Sequence, residues 1–229
     1  MATLLLRLAA PLQAWGSGSK FNIRTTEREP TKSGVVGMIA SAMGIQRNSS
    51  PELLEPLSNL KFGVRADREG KLLKDFHMVH EYDNNGLESD SHLTTRYYLS
   101  DAVFLVGLES EDKQYLEKIV SAINSPVYPL FLGRRSCPPT LPVIVGITDE
   151  PLVDALKNAL PLAETNEKNK RIIYESSEGG VVVQDVPVSF SQLHRIHGYR
   201  YKKEEMITMV GVKEEKSITI AEHDPMAEL

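Results

Sequence analysis

The chain has 229 residues, 41% hydrophobic and 25% charged, which excludes wholesale disorder and allows a hydrophobic core without staples. Its single cysteine, Cys137, excludes a disulfide framework and a cysteine-rich zinc site, and no apolar run is long enough to span a bilayer. A cytoplasmic protein is expected, built as one large domain or one domain with an appendage.

The net charge of −5 is unevenly spread. Residues 1–48 hold six basic groups against two acidic, and residues 149–185 hold eight acidic against four basic. Such an asymmetry suits a polyanion on one side and protein neighbours on the other.

In chain order, Leu4, Leu6 and Leu8 alternate with Thr3, Leu5 and Arg7, the pattern of a strand with one buried face, and Pro11 ends it. A polar loop follows to Pro30. Thr31 then caps a predicted helix whose Val35, Met38, Ile39 and Ala42 share one face and whose C′ residue is Gly44. Gly34 and Gly37 inside it predict close approach to a sheet or a ligand. A short helix over 52–57 and a strand over 61–68 come next. Residues 72–80 read as extended, and Asn85-Gly86 marks a hairpin. A strand over 97–108 precedes a helix carrying Leu116, Ile119, Val120 and Ile123, stopped by Pro126, and then a strand over 142–147. The remainder offers one amphipathic helix (Leu152, Val153, Leu156, Leu160) and several strands, and the pattern weakens beyond Lys213, as in a fraying tail.

This order, strand, helix, strand, long hairpin, strand, helix, strand, predicts an α+β fold. It is a ferredoxin-like (RRM-like) domain over 1–147 with a thumb β-hairpin inserted at about 77–98, and a mostly β, α+β extension over 148–229. One face of its antiparallel sheet is expected to stay open for RNA.

Pro30-Thr31-Lys32-Ser33-Gly34 resembles a phosphate loop but lacks the required glycines, since Thr31 and Thr26 occupy those positions. A helix start with Lys32 and Ser33 can still hold one phosphate, and simple capping is the alternative. The sharper feature is Leu132-Gly133-Arg134-Arg135-Ser136-Cys137-Pro138-Pro139, two arginines on a constrained loop suited to bidentate phosphate contact. His77 and His80 face opposite sides of an extended segment, and His194 and His197 would share a helix face without a third ligand, so no metal site is expected. His77, His92, Tyr97 and Tyr98 leave metal-independent RNA cleavage as an alternative, beside their reading as RNA-stacking or plain hairpin residues. Residues 194–203 interleave cations with tyrosines, which suits single-stranded RNA and equally suits an edge strand.

Residues 5–47 resemble the amino-terminal signature of the CasD family, the fifth Cas group within the RAMP superfamily of CRISPR-associated proteins. The shared elements are Pro11-Leu12-Gln13-Ala14-Trp15-Gly16, the Arg-Thr of the loop, Pro30-Thr31-Lys32-Ser33-Gly34 and Gly44-Ile45-Gln46. Asp75-Phe76-His77 and the 132–138 run match the type I-E branch, and Asp185-Val186-Pro187 with the cluster near Tyr199 matches loosely. The Gly-Ser-Gly-Ser spacing after Trp15 departs from the family pattern.

The resemblance implies a non-catalytic RNA-binding subunit of the Cascade surveillance complex that grips the repeat-derived 5′ handle of the guide RNA, with no cofactor and no metal. It implies a CasC-like backbone subunit and a CasA-like large subunit as neighbours, and target DNA reached indirectly through the complex. Gln13, Trp15, Arg24, Arg28, Lys32, Ser33, His77, Arg96, Tyr97, Arg134, Arg135 and Ser136 are the implied RNA-binding set, and Tyr82, Asn85, Gly86, Leu87 and Leu93 the implied partner-binding thumb. In a sister branch the corresponding protein processes guide RNA, so an endoribonuclease is the alternative.

Overall fold

A computed structural model describes residues 1–16, 22–140, 142–163, 169–191 and 193–209. The Gly-Ser-Gly-Ser departure, apart from Gly16, and the weakly patterned tail lie outside the described residues.

The chain runs through β1 (Ala2–Ala9), β2 (Leu12–Gln13), β3 (Ile23–Arg24), α1 (Lys32–Ala42), a 3-10 turn (Pro51–Leu53), α2 (Glu55–Ser58) and β4 (Lys61–Arg68). It continues with β5 (Lys71–Tyr82), β6 (Glu88–Ser100), β7 (Val103–Ser110), α3 (Lys113–Asn124) and β8 (Ile144–Thr148). It closes with α4 (Leu152–Asn158), β9 (Asn169–Ser176), β10 (Val181–Phe190) and β11 (Arg195–Thr208).

Two sheets form. The larger has the strand order β10-β11-β9-β4-β7-β1-β8, and every neighbouring pair in it is antiparallel. The smaller combines the β5–β6 hairpin with β2 and β3, which flank the base of β6.

Both helices with strong sequence signals form where expected. Thr31 caps α1 by accepting from the Gly34 N–H, and Asp112 caps α3 by accepting from the Tyr115 N–H. They cover one face of the larger sheet, burying Leu4, Leu6 and Leu8 of β1, Phe62 and Val64 of β4, and Phe104, Val106 and Leu108 of β7. Full burial of each such side chain contributes about 1.5–3 kcal/mol. Gly34 makes the predicted close approach, though to a core side chain: a β-carbon there would lie 2.9 Å from the Trp15 ring.

The expected open sheet face is closed. Leu5, Leu105 and Ile172 pack under Leu152, Ala155 and Leu156 of α4, so β1 is buried on both faces. Beneath α4 lies Arg65, fully buried, which donates to the carbonyls of Leu156, Ala159 and Leu160 and pairs with Asp67 at 2.6 Å. These carbonyls are the orphan acceptors of the helix C-terminus, and collecting them on one guanidinium ends α4 at Asn158. Leu160, predicted on the apolar face, therefore lies outside the helix and 83% exposed.

Further expectations change. The strand predicted over 97–108 is broken at Asp101, whose φ of 58° turns the chain from the smaller sheet into the larger. His194 and His197 share no helix, because β11 starts at Arg195, and β11 runs between β10 and β9 and not along an edge. The hairpin is longer than expected, pairing from Lys71↔Ser100 to Tyr82↔Glu88 with one register shift between Glu81 and Tyr82. The 148–229 portion joins the 1–147 portion in one sheet, since β9 pairs with β4.

Candidate nucleic-acid interface

The Arg134 loop is held by backbone geometry. Gly133 has φ +85°, and a β-carbon there would fall 1.6 Å from the Ala14 carbonyl oxygen, so no other residue fits. The Ala14 N–H donates to the Leu132 carbonyl, and the Leu132 N–H to Cys137, closing the turn against the end of β2. Burial raises the Cys137 thiol above its ordinary value, which suits a packed side chain.

From this turn the Arg134 guanidinium lies over the Tyr98 ring, 4.6 Å from its centroid, and Nη2 donates to the carbonyls of Arg24 (3.0 Å) and Thr25 (3.4 Å). Arg24 sits on β3 in parallel register with Arg96 of β6, so the two side chains share a face. Arg96 also stands opposite Asp75 of β5, which pairs with His77 at 3.0 Å. Two donors in this group, Arg96 Nε and Arg134 Nη1, are buried without a hydrogen-bond partner. Such atoms are rare in folded proteins and costly unless something accepts from them. Arg135 and Ser136 extend from the same turn and are exposed, as are Arg24 and Arg28 on the 22–30 loop. Three segments distant in sequence thus bring Arg24, Arg96, Arg134 and Arg135 to one patch.

Five members of the implied set lie elsewhere. Gln13 and Trp15 are buried: Gln13 Nε2 donates to the Leu8 and Ala102 carbonyls, and its Oε1 accepts from the Trp15 indole. Lys32 is 2% exposed and its ammonium lies 2.9 Å from Glu175. Burial pulls Lys32 below the ordinary lysine value despite that carboxylate. Ser33 is also buried, with its hydroxyl against Thr31. The anion at the α1 N-terminus is the protein's own: Asp185 of β10 accepts from the Lys32 N–H at 2.9 Å and from Arg200 at 2.6 Å. The phosphate expected there is displaced by this carboxylate. Tyr97, one residue from Arg96 on a strand, lies on the opposite face of the hairpin, opposite Lys74.

The residues expected to form a thumb lie on the β5–β6 hairpin and its turn. Asp83 accepts from the N–H groups of Asn85 and Leu87, which hold its carboxyl below the usual range, and Gly86 turns the chain at φ +78°. Tyr82, Leu87 and Leu93 are all more than half exposed. So are Leu72, Phe76 and Met78, which alternate along β5 on one face. Among the described residues no group of three or more His, Cys, Asp or Glu side chains converges as a metal site, and no helix is long and apolar enough to cross a membrane.

Sequence reasoning named Tyr98 but missed it as the platform for Arg134, a contact between residues 36 positions apart. It also missed Glu29 and Arg171, whose 3.1 Å contact spans 142 residues and leaves no local signal.

A family model described as CRISPR-associated protein (Cas_Cas5) matches residues 3–202. The chain belongs to the Cas5 family. The match contains every arginine of the patch and the whole hairpin. Over 156 residues this Cas5-family chain is 37% identical to "CRISPR system Cascade subunit CasD" of Escherichia coli (strain K12), covering 62% of this chain and 70% of that protein. Among solved structures it is similar to a chain of a "CRISPR RNA-guided surveillance complex", with TM-score 0.76, 32% identity and 90% of each chain covered. It is also similar to one titled "Crystal structure of Cas protein", with TM-score 0.72, 36% identity and 90% and 95% covered.

Proposed function

We propose that this Cas5-family chain is a non-catalytic, cytoplasmic RNA-binding subunit of a type I-E Cascade surveillance complex, holding the 5′ handle of the guide RNA. The observation that carries this reading is the arginine patch, where two buried guanidinium nitrogens lack acceptors beside an exposed arginine on a rigid turn. A phosphate supplies the missing acceptors, and bidentate geometry favours arginine over lysine for that contact. The β8-β1-β7-β4 order, with α1 and α3 as crossovers, supports the ferredoxin-like reading of the RNA-binding part. The exposed apolar face of the β5–β6 hairpin supports its reading as a thumb that a CasC-like backbone subunit covers. The large CasA-like subunit docks nearby, and target DNA is reached through the complex.

Labelled repeat RNA incubated with the full chain and its backbone subunit in EDTA tests this. Retention of intact RNA is the expected outcome. Site-specific cleavage under these conditions would replace the reading with an endoribonuclease, and failure to bind in the assembled state would leave a protein-only scaffold.

A further inference from the structure

The 22–30 loop carries Arg24 and Arg28, and the root of the hairpin begins one turn after β4. Both are tied to the same side chain. Arg171 of β9 grips Glu69, in the turn between β4 and β5, through two parallel bonds of 2.7 and 2.8 Å. Its third nitrogen donates to Glu29 at 3.1 Å and lies 3.6 Å from Glu204. Lys202 of β11 donates to the other Glu29 oxygen at 2.7 Å. Arg171 is 11% exposed and Glu29 13%, so water screens the bond between them weakly. Burial works to raise the Glu29 carboxyl, but Lys202 and then Arg171 outweigh it and hold it below its ordinary value.

We propose that Arg171 is a positioning residue for the RNA-facing surface: one planar fork on β9 sets the 22–30 loop through Glu29 and the hairpin root through Glu69. The inference rests on the RNA reading above and gives the carboxy-terminal strands a task within it. A lysine carries the charge but cannot bond two carboxylates with fixed orientation. Loss of the clamp leaves both segments folded yet unordered relative to each other, so ordering must occur on binding.

Hydrogen exchange on the full chain reads the clamp without RNA. Glu29→Gln is expected to raise exchange in 22–30 alone. Arg171→Gln and, less strongly, Arg171→Lys are expected to raise it in 22–30 and in 69–75, with β1 and β7 unchanged. Unchanged exchange in both segments, or a uniform rise through the core, overturns the clamp. For labelled handle RNA, Arg171→Gln is expected to weaken binding about 3- to 10-fold, the scale of ordering one or two side chains. Combining it with Arg28→Ala is expected to cost less than the sum, whereas combining it with Arg135→Ala adds fully. Altered exchange with unaltered affinity overturns the positioning role. Absence of RNA binding by the unmodified protein overturns the RNA reading, while the exchange pattern still decides the clamp.

Discussion

Arg134 and Arg135 are neighbours with different tasks. Arg134 stacks on Tyr98 and bonds the backbone of the 22–30 loop, so it is half structural, whereas Arg135 is exposed with no partner among the described residues. Arg135→Ala is therefore expected to leave the thermal midpoint within measurement error and to weaken RNA binding by about 1.5–3 kcal/mol if its bond to phosphate is charge-assisted. Arg134→Ala is expected to lower both quantities. Paired melting curves and anisotropy titrations separate the two, and equal effects from both substitutions would contradict the division. The sequence made this turn legible because Gly before Arg-Arg and two prolines after leave few conformations. It could not show that Lys32 and Ser33, read as phosphate ligands, face Glu175 and Thr31. The decisive partner, Asp185, lies 153 residues away.

At the scale of elements, strands and helices with a single buried face were legible, and those buried on two faces were not. Periodicity gave β1, α1, β4 and α3, but Leu5 and Leu105 read as ordinary alternation until α4 closes over them. The hairpin was visible from its turn, yet its apolar stripe of Leu72, Phe76 and Met78 was overlooked because the segment resembles a core strand. That stripe faces solvent in the isolated chain, and a long two-stranded ribbon burying little is marginal alone. Replacing residues 83–93 with a short Gly-Ser turn is expected to leave the thermal midpoint of the isolated protein nearly unchanged and to impair assembly with the backbone subunit and guide RNA. Normal assembly, or unfolding of the shortened protein alone, would contradict the thumb assignment.

At the scale of the whole molecule, the larger sheet joins the amino- and carboxy-terminal portions of the described chain. Its carboxy-terminal strands add to β4 and return charged side chains, Asp185, Arg171 and Lys202, to the start of α1 and the loop before it. Arg200 and Lys202, within the run read as an RNA surface in this portion, are held in internal ion pairs with Asp185 and Glu29, and two unpartnered arginine nitrogens, Arg96 Nε and Arg134 Nη1, lie at the junction of the two sheets. The central claim is that this junction contacts the RNA backbone. Salt dependence of handle-RNA affinity, compared between the unmodified protein and Arg96→Ala/Arg134→Ala/Arg135→Ala, tests it most directly. Each lost phosphate contact is expected to flatten the slope of log K against log salt by about 0.7. A variant that binds with an unchanged slope would contradict the account.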